Sequence, residues 1–211
     1  MPRILIATVL ATALVACGGS PAPAGPTAAS VAVQSSDLPS GMTKCDLTGD
    51  IDSFLTKEKT ADASTYQSTK TEWDDAKSKG ATAAYTAFYT DSSAHCDSIK
   101  AQGSSIGSAA YKLVVNFVIQ FKDEASATKG YESEQVFNVS PSQLRASGQP
   151  IIEGANTGLS KNSIVLNSQI ANQSYYIAVW QNKTFLVILA ILNVDAGASK
   201  KAATSENGRI K

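Results

Sequence analysis

Apolar and polar positions along the chain change period several times, and each change predicts an element. From Asp50, the residues Ile51, Phe54 and Leu55 fall at helical spacing, which predicts a short helix to about Lys59. A second helix is predicted from about Ser64 to Lys79, with Tyr66, Thr69, Trp73, Ala76 and Lys77 along one stripe and Gly80 as its terminator. Trp73 is then a core anchor. From Ala81 to Thr90 the period becomes two: Ala83, Tyr85, Ala87 and Tyr89 share one parity, Ala84 and Phe88 the other. Tyr111 to Phe121 alternates more strongly, with Leu113, Val115, Phe117, Ile119 and Phe121 on one face and Val114 and Val118 on the other. Asp123 is placed to cap a helix running to about Phe137.

Residues 138–161 are rich in Ser, Pro, Gly and Asn and read as a long loop, a solvated crossover or a binding edge. The last third is a meander. Strands over Ser163–Ile170, Tyr175–Trp180 and Phe185–Val194 are separated by Ala171-Asn172-Gln173-Ser174 and Gln181-Asn182-Lys183. Phe185 to Leu192 is continuously apolar, which places it centrally, buried on both faces. A closing helix is expected over 196–206. The resulting expectation is an α+β fold: an antiparallel sheet of about five strands with helices packed on one face, stapled by one disulfide.

The amino-terminal pattern is different. Arg3 precedes an apolar run from Ile4 to Ala16, too short for a bilayer span of roughly 20 residues but suited to a secretory signal. It ends in Leu14-Val15-Ala16-Cys17, which resembles the lipobox of bacterial lipoproteins. The resemblance implies cleavage of a signal peptide over 1–16, diacylglyceryl attachment at Cys17 and acylation of the new amino terminus. A multiply acylated cysteine holds a membrane stably, where one chain holds only marginally. Gly18 implies outer-membrane delivery in an organism with two membranes and has no such meaning in one with a single membrane. Residues 18–36 hold Gly, Ser, Pro, Ala and Thr without charge or aromatics. They read as a linker with a reach of about 25 Å. The expected organisation is a signal at 1–16, lipidated Cys17 and disordered linker at 17–36, and one globular domain at 37–211.

Charge adds an exclusion. Lys plus Arg is 18 and Asp plus Glu is 18, so no basic face for nucleic acid is expected, and lipid must do the anchoring to the membrane. Once Cys17 is assigned to lipid, Cys45 and Cys96 remain as an even pair and read as a disulfide in an oxidising compartment. Closing a loop of about 50 residues stabilises by about 4 kcal/mol in the chain-entropy model.

Candidate chemistry is sparse. His95 is the single histidine, so a three-histidine metal site within one chain is excluded, and a surface or capping role is expected for it. Asp46, Asp50 and Asp52 around Gly49 lack the full calcium-loop pattern and read as caps. Glu72, Asp74 and Asp75 read as a solvated helix face. A carboxylate hydrolase would need two acids converging in a cleft. No catalytic residue, metal or cofactor is assigned.

The layout resembles small actinobacterial lipoprotein domains and extracellular sensor domains of bacterial receptor kinases, where helices and a disulfide back such a sheet. The expected function is non-enzymatic binding or interaction on the extracytoplasmic side of a cell membrane or outer membrane, with a protein, a glycan or a small ligand as partner. An envelope structural or assembly component is the first alternative and a carboxylate-based hydrolase the second. Tyr85, Tyr89, Tyr175, Tyr176 and Trp180 are the first aromatic candidates for ligand contact.

Overall fold

The computed structural model describes residues 25–136 and 139–211, with backbone alone at 104 and 105. The expected signal peptide, Cys17 and residues 18–24 of the expected linker lie outside the described residues. The chain enters through α1 (Ala28–Val31), where Thr27 and Ser30 cap each other through bonds of 2.9 and 3.2 Å. Strands β1 (Thr43–Lys44) and β2 (Gly49–Asp50) lead to α2 (Ile51–Ala61) and α3 (Ala63–Ser78). Then come β3 (Ala81–Thr90), α4 (Ser93–Ala101) and a 3-10 turn at Gly103–Ser108. The middle of the chain holds β4 (Leu113–Phe121), α5 (Glu124–Ser133), α6 (Pro141–Ala146) and β5 (Ile151–Glu153). The meander β6 (Asn162–Ile170), β7 (Gln173–Asn182) and β8 (Phe185–Leu192) precedes α7 (Ala196–Gly208).

Helix starts are set by side-chain caps. Asp50 accepts the Ser53 N–H, Asp123 the Ser126 N–H and Asp195 the Ala198 N–H, each satisfying a donor that the helix itself leaves open. Asp62 accepts from both Ser64 and Thr65 at the start of α3. Gly80, at φ +102°, follows the last turn of α3 in a backbone region that a side chain disfavours.

The strands form one eight-stranded sheet in the order β1-β3-β4-β8-β7-β6-β5, with β2 also on β3. Pairing is antiparallel throughout. The expectation of about five strands captured β3, β4, β6, β7 and β8. The others are only two or three residues long, too short for alternation to register.

Both faces of the sheet are covered. On the first, Phe88, Phe117, Phe121, Leu186 and Ile188 pack with Phe54, Trp73, Ile99 and Tyr131 from the helices. Phe54 stacks on Phe88 at 5.6 Å and meets Phe117 edge-on at 5.8 Å. On the second, Tyr89, Val114, Trp180, Val187 and Leu189 pack with Val31, Ala32, Ala202, Ala203 and Ile210. The expectation of helices on one face is therefore corrected: α1 and α7 cover the other. Both do so with small side chains, so neither carries a strong apolar stripe in sequence.

The expected linker at 17–36 also overlaps folded chain. Ala28, Val31, Ala32 and Val33 are fully buried in the second core, so ordered structure starts well before residue 37. Residues 138–161 are likewise not a simple loop, since they contain α6 and β5. Ser140 caps α6 with Pro141 in its first turn, so the Ser and Pro that suggested a loop here mark a helix start. Among the described residues, no helix is long and apolar enough to cross a membrane.

Candidate binding cavity

Three central strands present their first-face side chains in register. One row is Val115, Ala190 and Ile177; the flanking rows are Phe117, Ile188 and Val179, and Leu113, Leu192 and Tyr175. Ala190 and Ile177 are only half-buried, although they lie in the middle of the sheet. Above them is a cavity of about 350 Å³. Its floor is Val115, Phe117, Ile177, Ile188, Ala190 and Leu192. Its walls come from α3, the Gly103–Ser108 turn, and Val136 with Val139.

The cavity follows from side-chain size. Helix α3 buries Thr65, Thr69, Trp73 and Ala76 against the sheet. A neighbouring stripe at spacing four, Ser64, Ser68 and Glu72, faces the cavity. The two serines are too short to fill it. Gly103 and Gly107 add no side chain from the opposite wall. Gly103 is required for this wall: a Cβ there would stand 2.5 Å from Thr65 Oγ1. Its N–H donates to Asp62 Oδ2 at 3.0 Å, and the Thr65 hydroxyl donates to the same oxygen at 2.9 Å. At the far end, the Tyr175 hydroxyl lies 3.3 Å from the Gly107 carbonyl oxygen and 2.6 Å from Gln173 Oε1.

Glu72 is the one carboxylate on the cavity lining among the described residues. One of its carboxylate oxygens is buried without a hydrogen-bond partner. Burial, and then the neighbouring Glu134 charge, push its carboxyl up to about 7. Glu72 and Glu134 also share the lining of a smaller void of about 20 Å³ behind Trp73. Two acids do converge here, but the space between them is the size of about one water molecule. Glu134 is also engaged, with Lys79 Nζ at 2.7 Å. Burial raises Glu134 even so.

The residues singled out in the sequence are distributed elsewhere. Cys45 and Cys96 form a disulfide with Cα atoms 5.3 Å apart, joining the start of the domain to α4. His95 pairs with Asp91 and stacks on Tyr111 at 3.9 Å between ring centroids. Asp50 caps α2, and Asp46 lies 3.2 Å from Lys57 and 3.1 Å from Lys100. Asp74 and Asp75 are on a solvated helix face with lysine partners, as expected, but Glu72 is not. Of the aromatic candidates, Tyr89, Tyr176 and Trp180 are buried in the second core, and Tyr85 packs against it. Tyr175 alone reaches the cavity.

Sequence reasoning missed Glu72, Ala190 and Gly103. Two signals were present. Ala190 is the one small residue in the run Phe185–Leu192, and Ser64, Ser68 and Glu72 repeat at helical spacing beside the buried stripe.

No protein-family model and no curated protein matches the chain. Among solved structures it shows weak similarity to the extracellular domain of PknH from Mycobacterium tuberculosis, with 11% identity and a TM-score of 0.39. The match covers 62% of this chain and 66% of that one, just under two thirds of its length. A likeness of this size concerns partial layout and assigns neither ligand nor location.

Proposed function

We propose that the protein is a non-enzymatic, extracytoplasmic binding domain that holds a small molecule with an apolar body in the cavity over Ala190. The cavity itself carries this reading: an apolar floor in the middle of a sheet, walled by short polar side chains and large enough for a small ligand. Leaving Val115, Ile177 and Ile188 under such a space forgoes packing that larger side chains would supply. A bound apolar group restores it, at about 0.8 kcal/mol per buried methylene. The lipobox-like Leu14-Val15-Ala16-Cys17 supports tethering through lipid on Cys17, and the Cys45–Cys96 bridge suits an oxidising compartment.

Titration with the neutral fluorophore N-phenyl-1-naphthylamine tests the cavity. Saturable binding is expected, and Ala190→Leu should abolish it while leaving thermal stability unchanged or higher. Absence of saturable binding to the unaltered protein, or unchanged binding to Ala190→Leu, would overturn the reading. Fractionation tests the tether: Cys17→Ser should move the protein out of the membrane fraction.

A further inference from the structure

The cavity is apolar on its floor and acidic at one point of its wall. One carboxylate oxygen of Glu72 is buried there without a hydrogen-bond partner, and the charge that acts on it is the like charge of Glu134. Its nearest neighbours do not neutralise it. Glu134 is a second carboxylate, and the Lys79 ammonium is shared between Glu134 at 2.7 Å and Asp75 at 2.5 Å. With the Lys79 ammonium engaged by Glu134 and Asp75, no cation opposes the Glu134 charge at Glu72. The serine stripe continues the polar wall with hydroxyls that can accept as well as donate.

Resting on the cavity reading above, we propose that the ligand class is an amphiphilic amine: an apolar body over Ala190 with an ammonium head at Glu72, flanked by Ser68. The head supplies the partner that Glu72 lacks, and the apolar body covers Val115, Ile177 and Ile188. An anionic head in the same pose would meet Glu72 with Glu134 behind it. A neutral head would leave the Glu72 charge uncompensated in a partly buried position, which is costly. The raised Glu72 carboxyl agrees with this: burial first, and then the like charge of Glu134, favour its protonated form.

Calorimetric titration at pH 8 with octylamine, octanol and octanoate separates head from body. The three share one alkyl chain and differ in charge. Octylamine is expected to bind roughly tenfold or more tightly than octanol, as suits a charge-assisted hydrogen bond, with octanoate weakest. Glu72→Gln should bring octylamine to within about twofold of octanol and leave octanol unchanged. Equal affinity for octylamine and octanol, or a preference for octylamine that survives in Glu72→Gln, would overturn the amine assignment and leave the cavity reading standing. Failure of all three compounds to bind would overturn both.

Discussion

The Arg209 guanidinium grips the Asp37 carboxylate with two nitrogens, at 3.1 and 2.8 Å. The same side chain donates to the carbonyl oxygens of Val31 and Ala32, both at 3.0 Å. One arginine at the end of α7 thus fastens residues 31–37 across the second face of the sheet. Asp37 is well shielded, with 8% of its side chain exposed, so this pair is less screened than an ordinary surface bridge.

Arg209→Ala should release that strap without unfolding the sheet. A loss of about 1–3 kcal/mol is expected, since two-pronged charged hydrogen bonds are among the strong ones. Hydrogen exchange should accelerate first in residues 28–38. Undiminished protection there would show that packing of Val31 and Ala32 suffices.

Gly103 and Thr65 should be energetically coupled. Gly103→Ala places a methyl group on the Thr65 hydroxyl, and overpacking of this kind costs roughly 1–3 kcal/mol. Thr65→Ala removes the obstructing hydroxyl and methyl but also a hydrogen bond to Asp62. The double variant should therefore be more stable than the two single losses predict. A denaturant double-mutant cycle measures the difference, and strict additivity would contradict the close approach.

Stability should peak on the acid side of neutrality. Glu206 is fully buried, and burial pushes its carboxyl up to about 8, with Asp37 adding to the rise and Asn116, Arg209 and the Val33 N–H opposing it. Glu58 is raised to about 7, again by burial first and Asp62 second. In the unfolded chain both titrate at about 4.3. Between that value and about 8 the folded state binds more protons than the unfolded state. Stability then falls as pH rises through this window and levels above it. Below it, Asp62, Asp91 and Asp123, whose carboxyls are lowered in the fold, lose their contribution as they protonate. The urea midpoint should be higher at pH 5.5 than at pH 8.5. Glu206→Gln should narrow that gap, chiefly by stabilising the protein at pH 8.5. An unchanged gap would remove Glu206 as its source.

Reduction of Cys45–Cys96 should cost about 2–4 kcal/mol, because the bridge closes a long loop in the unfolded chain. It should also weaken probe binding. Helix α4 runs from the bridge directly into the Gly103 turn, which forms one cavity wall. Fluorophore titration before and after reduction reads this; equal affinity would mean that the wall is held by Gly103 and Tyr175 alone.

The long strands were legible because burial wrote itself into their period. Phe185–Leu192 is apolar at every position, and it is buried on both faces except at the small Ala190. What was not legible depended on small side chains. Ala28, Ala32, Ala202 and Ala203 lie in a core as deep as that of Phe117, yet alanine and serine there look no different from a flexible linker. The cavity was hidden for the same reason. It is made by what Ala190, Ser64, Ser68 and Gly103 lack, and its outline needs strands β4, β8 and β7 brought side by side from distant stretches of sequence. Glu72 looked like its neighbours Asp74 and Asp75 until the turn of α3 carried it round to the inner edge.

The strap and the cavity lie on opposite faces of the same plate. Were the molecule held by its amino-terminal side, a pull entering at Gly25 would first load the back of that plate, where Arg209 joins residues 31–37 to the end of α7, rather than α3 or the Gly103 turn around the opening.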